Sequence, residues 1–176
     1  MLRLAEKKDF GAMFALMEAS FPKDEYRTKD EQRALFENPL YRVYAVDFPS
    51  NRSLCGFAAV WTLDSFCFLE HLAVDPHHRN GGVGARMLGE LLVVFDGRIC
   101  LEVELPETEL SRRRIGFYER CGFTLNDDPY LQPPMSRGQN AVPLRIMTSW
   151  GRLRQNEFSS LRDLLYDKVY GVSKQH

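Results

Sequence analysis

The 176-residue chain has no apolar run approaching the length of a membrane-spanning helix, so no such span is expected. Its first residues, Met1 to Lys8, are too charged for a secretory signal, which points to a cytoplasmic protein. It has no surplus of positive charge: 23 Lys and Arg stand against 24 Asp and Glu, for a formal net charge of -1. The basic footprint of a nucleic-acid binder is therefore missing. The four cysteines, Cys55, Cys67, Cys100 and Cys121, form no C-x-x-C pair, and three lie inside apolar runs. Reduced core thiols are expected rather than disulfides or a zinc site. The adjacent pair His77-His78 cannot place both rings on one helix face, so it reads as a solvated loop and no metal site is expected. Repeats, linkers and low-complexity stretches are absent.

What is present suffices for one well-buried domain, since 44% of the residues are hydrophobic. Leu2-Arg3-Leu4 alternates as a short strand. Asp9 is placed to cap a helix whose apolar face is Phe10, Met13, Phe14, Met17 and Phe21 and which stops before Pro22. Thr28-Lys29-Asp30-Glu31 is a capping box opening a second helix to about Asn38. Strands follow at Tyr41 to Phe48, Leu54 to Leu63 and Phe66 to Val74, with turns at Pro49 to Ser53 and Asp64-Ser65. Gly82 to Phe95 has helical spacing, and Arg98 to Leu105 alternates as a strand with Cys100, Glu102 and Glu104 on one face. Glu109 to Cys121 reads as a helix stopped by Gly122. Phe123 to Leu131 is extended, Gln132 to Gln139 is a loop, and Val142 to Trp150 is a strand. A tail helix, Asn156 to Tyr170, carries the apolar stripe Phe158, Leu161, Leu165 and Val169. Short-turn strands imply antiparallel pairing, and the strand-helix-strand over residues 66–105 implies a parallel crossover. The sum is a mixed α/β sheet flanked by helices.

The turn Arg79-Asn80-Gly81-Gly82-Val83-Gly84-Ala85 joins an apolar strand to an amphipathic helix. First-turn amides of a helix have no internal acceptors and carry the positive end of the dipole, and glycines let the backbone close on a phosphate pair. A Walker loop needs G-K-[ST], which is lacking. A dinucleotide fingerprint would need Gly or Ala where Met87 stands. What remains is R/Q-x-x-G-x-G/A, matched at Arg79, Gly82 and Gly84.

With that signature, with Leu69-Glu70-His71-Leu72-Ala73-Val74-Asp75-Pro76 before it and with Phe117-Tyr118-Glu119-Arg120-Cys121-Gly122-Phe123 after it, the chain resembles the GNAT N-acetyltransferase superfamily from its first strand to about Trp150. The resemblance implies a mostly antiparallel sheet of six to seven strands with one parallel, splayed pair forming a cofactor cleft. It implies an acetyltransferase domain over residues 1–150; residues 151–176 are a helical extension beyond it, whose apolar stripe is expected to pack on the same domain or on a second subunit of a homodimer. It implies acetyl-coenzyme A as cofactor: the pantetheine arm along Leu72, Ala73 and Val74, the pyrophosphate at Arg79 to Ala85, and further cofactor contacts at Ser111 and Arg114. At those two positions the family usually has asparagine and alanine, and the loop Pro106 to Leu110 is longer than in ribosomal-protein N-terminal acetyltransferases. Tyr118 falls where the family places its acid.

The base is open between Glu70, ranked first, and Glu102, whose Leu101-Glu102-Val103 setting resembles those ribosomal-protein enzymes. One of Arg112, Arg113 and Arg114 is a candidate for a coenzyme A phosphate contact. For the acceptor a small-molecule primary amine is expected, in a pocket near Pro22 to Arg27 and Gln132 to Gln139, with Glu25, Glu102 and Glu104 as attracting charges and Tyr26, Tyr130, Met135 and Trp150 as possible walls. Two alternatives stay open: a non-catalytic acyl-coenzyme A sensor, and an acetyltransferase acting on protein N-termini or lysines.

Overall fold

The computed structural model describes residues 1–49 and 53–172. Most of the turn expected at Pro49 to Ser53 thus lies outside the described residues. Eight strands form one sheet: β1 (Arg3–Leu4), β2 (Tyr41–Asp47), β3 (Leu54–Thr62), β4 (Cys67–Val74), β5 (Ile99–Glu104), β6 (Thr124–Leu125), β7 (Tyr130–Gln132) and β8 (Val142–Thr148). The order is β1-β2-β3-β4-β5-β8-β6, with β7 also paired to β8. Only β4 and β5 are parallel. The extended segment after Gly122 is divided at Asn126 to Pro129 into β6 and β7. Both lie against β8, which gives eight strands rather than six or seven.

Helices cover both faces. On one side α1 (Phe10–Ser20), α2 (Lys29–Ala34) and α5 (Gln155–Lys168) enclose Phe10, Met13, Met17, Phe57, Trp61, Phe158 and Leu165. On the other, α3 (Val83–Val94) and α4 (Glu109–Arg120) bury Met87, Leu88, Leu91 and Ile115 against Val60, Leu69 and Leu101. The stripe Phe158, Leu161, Leu165 and Val169 is buried in the first of these cores, so α5 packs on the sheet of its own chain.

Local signals act much as their chemistry requires. Glu31 accepts from the amide of Thr28 at 3.2 Å, closing the box at the start of α2. Gly122, at φ +91, ends α4 in a conformation that favours glycine. Asp9 behaves differently: it precedes α1, but its carboxylate accepts from Arg3 at 2.8 and 3.1 Å instead of capping the helix.

One irregularity shapes the site. Opposite β3, the register passes from Ala59–His71 to Val60–Leu69, leaving Glu70 as an extra residue in β4. This β-bulge breaks the alternation of faces. Phe68 lies in the α1/α5 core and Leu69 in the α3/α4 core, while Leu72 and Val74 pack on the α3/α4 side. Simple alternation along β4 would put Glu70 on the face of Leu72 and Val74, and the bulge takes it off that face. Glu70 turns with His71 toward the α1/α5 side.

Candidate active site

The parallel ladder of β4 and β5 is short. It pairs Cys67 with Ile99, Phe68 with Cys100 and Leu69 with Leu101, and there it stops. From Glu70 on, β4 stays with β3, while β5 continues beside β8 from Cys100 to Glu104. The two strands part as a V whose apex lies between Glu70 and Glu102. Ladder groups on the inner edge of β4 beyond the apex have no strand partner among the described residues, which leaves this edge open to an extended ligand except where Arg79 already donates to the Val74 carbonyl.

The V opens into a cavity of about 680 Å³. Its floor is Leu72, Ala73, Val74 and Val103. One end is formed by Arg79, Asn80, Gly82, Val83, Gly84 and Ala85, and the other by Glu25, Gln132, Met135 and Leu144. At the first end Asn80 (φ +67) and Gly82 (φ +74) take left-handed backbone that turns the chain into α3. That conformation is easy for glycine and tolerable for asparagine. No acidic residue occupies the first turn of α3. Arg79 reaches back to donate from Nε to the carbonyl of Val74 at 3.1 Å. From α4, Arg113, Phe117 and Arg120 face the same space, spaced three and four residues apart on one helix face. A helix start free of acids, left-handed glycine backbone and several arginines are what a pyrophosphate requires.

Of the positions marked in the sequence, Gly81, Ser111, Arg112, Tyr26, Tyr130 and Trp150 do not line the cavity. The Ser111 hydroxyl is spent at the start of α4, where it accepts from the Thr108 amide at 3.1 Å and donates to the Thr108 carbonyl at 3.0 Å. Arg112 ties down the preceding loop through the carbonyls of Pro106 and Glu107, both at 3.1 Å. Arg114 lines the cavity but is paired with Glu104 at 3.0 Å. Tyr26 packs edge-on against Phe14, and Trp150 lies against Phe66 under Arg98, so neither forms a cavity wall.

Tyr118 is buried on the β5-facing side of α4, against Phe117 and Phe123, and lines the cavity. Burial pushes its hydroxyl up to about 12, with Arg114 opposing, so the phenol holds its proton throughout the neutral range.

The two carboxylates at the apex differ sharply. Glu70 sits in a buried ion pair with Arg27, Oε1 accepting from Nη1 at 2.8 Å, and the Arg27 guanidinium lies over the Trp61 ring at 5.6 Å. His71 Nδ1 stands 3.5 Å from the other oxygen, at the margin of hydrogen bonding. Its Nε2 lies 2.7 Å from the Glu25 carbonyl, and a carbonyl can only accept, so this nitrogen carries a proton. Burial alone would raise Glu70, but Arg27 and His71 outweigh it and hold the carboxyl at about 2. Among the described residues Glu102 has no cationic partner. It accepts from Tyr130 at 2.5 Å and from Tyr170 at 2.7 Å. Burial raises it to about 7, the two phenols pull down, and the charges of Glu70 and Glu25 push up. Glu25 is also raised, by burial first and by Glu104 second.

Arg27, His71, Arg120 and Tyr170 were not marked by sequence reasoning. Arg120 had a usable signal, its helical spacing from Arg113 and Phe117. Arg27 and Tyr170 had none, because their carboxylate partners lie 43 and 68 residues away.

A parted parallel pair, a glycine-led helix start at its mouth and a buried tyrosine facing it agree with the comparisons to known proteins. The model of the Acetyltransferase (GNAT) family matches residues 10–123. The chain belongs to the GNAT acetyltransferase family. A GNAT-family protein from Bacteroides thetaiotaomicron superposes with a TM-score of 0.87 at 34% identity, over 98% of this chain and 99% of that one. At 17–18% identity the likeness shows the GNAT fold alone. It is found with a spermidine N-acetyltransferase from Vibrio cholerae (TM-score 0.61, 84% and 93% of the two chains) and a ribosomal-protein alanine N-acetyltransferase from Escherichia coli (0.61, 84% and 91%). No curated protein matches the sequence. As a GNAT acetyltransferase the chain is an acyl-transferring enzyme. Among its described residues no cluster of three or more His, Cys, Asp or Glu could hold a metal, and no helix is long and apolar enough to cross a membrane.

Proposed function

We propose that the chain is an acetyl-coenzyme A-dependent N-acetyltransferase that acts on a primary amine of a small molecule. Acetyl-coenzyme A supplies an acetyl thioester, the activated acyl group. The free edge of β4 at Leu72, Ala73 and Val74 suits the extended pantetheine arm. Arg79, Asn80, Gly82, Val83, Gly84 and Ala85 suit the pyrophosphate, with Arg113 and Arg120 adding charge from α4 and Gly81 shaping the turn from outside the cavity. Arg114 is held by Glu104, and Ser111 shapes the start of α4 rather than contacting the cofactor.

The observation that carries the reading is the contrast at the apex of the V. An amine attacks only when neutral, so a base close to neutral pH is needed. Glu102, at about 7, is matched to that task. Glu70, at about 2 and committed to Arg27, serves better as the counter-ion that holds Arg27 and the bulge in place. Tyr118 keeps its proton at working pH and can release it at the departing sulfur. Among the described residues neither Glu25 nor Glu102 forms an ion pair, although Arg114 and His71 act on Glu25 from a distance, and this favours an acceptor that brings a cation. The test is release of coenzyme A thiol from acetyl-coenzyme A across a panel of primary amines, small and peptidic. Amine-dependent release supports the reading; absence of both release and acetyl-coenzyme A binding sinks it.

A further inference from the structure

Two phenols grip Glu102 from the side away from the cavity. Tyr130 donates to Oε1 at 2.5 Å, and Tyr170 lies 2.7 Å from Oε1 and 2.8 Å from Oε2. Neither tyrosine lines the cavity, whereas Glu102 does. Tyr130 is fixed by its pairing with Leu144 across β7 and β8. Tyr170 comes from far outside the matched family region, just after α5. Its position is fixed by its own amide, which donates to the Leu165 carbonyl at 3.2 Å, and by Arg27, whose Nη2 donates to the Val169 carbonyl at 3.0 Å. The arginine that neutralises Glu70 therefore also anchors the segment that reaches Glu102.

We propose that Tyr170 is a positioning residue: together with Tyr130 it clamps Glu102 so that the carboxylate keeps one orientation and its anionic form, which makes the chain beyond α5 part of the catalytic apparatus. The proposal rests on the reading of Glu102 as the base. Each phenol brings one proton and each is pushed well above its ordinary value by burial, so both are donors at working pH. Donors stabilise the charged form of a carboxylate. Among the described residues the other groups facing Glu102 oppose or are neutral. Glu70 from β4 and Glu25 from the turn before α2 repel a negative charge. Cys100 on its own strand and Tyr166 from α5 are uncharged, because burial raises both. With Oε1 taken by Tyr130 and Tyr170 bridging both oxygens, Oε2 keeps the lone pair left for a proton from the acceptor.

The test is a carbon-13 titration of the Glu102 carboxyl in the full chain without substrate, assigned by the signal lost in Glu102→Gln. Removing one hydrogen bond to a charged group moves a midpoint by about one pH unit. Tyr170→Phe is expected to shift the midpoint upward by that amount, and Tyr130→Phe in the same direction. An unmoved midpoint in both folded variants overturns the clamp. With an acceptor from the amine panel, the acidic limb of turnover in Tyr170→Phe moves up by the same amount, so that activity falls about fivefold at pH 7 and recovers at pH 9. A uniform loss at every pH marks a merely structural role and overturns the proposal. The Glu102→Gln rate profile separates the two readings. If it keeps the wild-type acidic limb, Glu102 is not the base and Tyr170 has no catalytic part; if it loses the limb while the tyrosine variants leave the midpoint unmoved, only the clamp fails.

Discussion

Glu102→Gln is expected to stabilise the protein at pH 8 and to leave its stability unchanged at pH 4. The carboxyl stands at about 7 in the folded chain against 4.5 as its ordinary value. Below 4.5 both states hold the proton, and the hydrogen-bonded acid contributes fully. As pH rises toward 7 the unfolded chain ionises while the folded one resists, so stability is lost progressively through that window. Above 7 the loss is complete and constant. The gap between the two values corresponds to about 3 kcal/mol, an upper bound because the carboxylate keeps some contact with the open cavity. Glutamine has nearly the same shape and still accepts from Tyr130 and Tyr170, but it carries no charge to desolvate. For a chain of this length the difference is roughly 5–10 °C in Tm at pH 8. Thermal or urea unfolding of both proteins at pH 4, 6 and 8 reads it directly. A difference that does not widen between pH 4 and pH 8, or a variant less stable at pH 8, refutes the account of Glu102 as a carboxylate held near neutrality by burial. The activity should move oppositely, since the same substitution removes the proposed base.

Further expectations are equally concrete. Tyr118→Phe keeps acetyl-coenzyme A affinity, measured by calorimetry, while lowering turnover on the best amine by about a hundredfold or more. Arg27→Ala leaves Glu70 as a buried charge without its partner and costs about 3–5 kcal/mol in urea unfolding, whereas Arg27→Met with Glu70→Gln costs much less. Gly82→Ala puts a side chain on a φ of +74 with open space around it, so backbone strain of about 1–2 kcal/mol appears in unfolding, together with weaker acetyl-coenzyme A binding.

What the sequence reveals follows the range over which each signal acts. The turn Arg79 to Gly84 is legible because left-handed backbone and a helix start are local properties, written in adjacent residues. The stripe on α5 is legible as apolar for the same reason, but nothing local says that it covers its own sheet. Glu70 is misplaced by alternation because a bulge depends on the facing strand, where Ala59 and Val60 set the register. Glu102 is visible as a polar residue in an alternating strand. Its ionisation is not, since it comes from burial, from Glu70 and Glu25, and from phenols 28 and 68 residues further along the chain. Gly56 gave no signal either, yet a Cβ there would stand 2.8 Å from the Ala73 carbonyl and 3.2 Å from Met87 Sδ, so β4 and α3 close on the sheet only because that position is bare.

The most direct test of the central claim is the pH dependence of amine-dependent thiol release from acetyl-coenzyme A, compared between the wild type and Glu102→Gln. The account predicts release whose acidic limb has a midpoint near 7 in the wild type and is absent in the variant. A wild type that releases no thiol with any amine, or a variant that keeps the same limb, would contradict it.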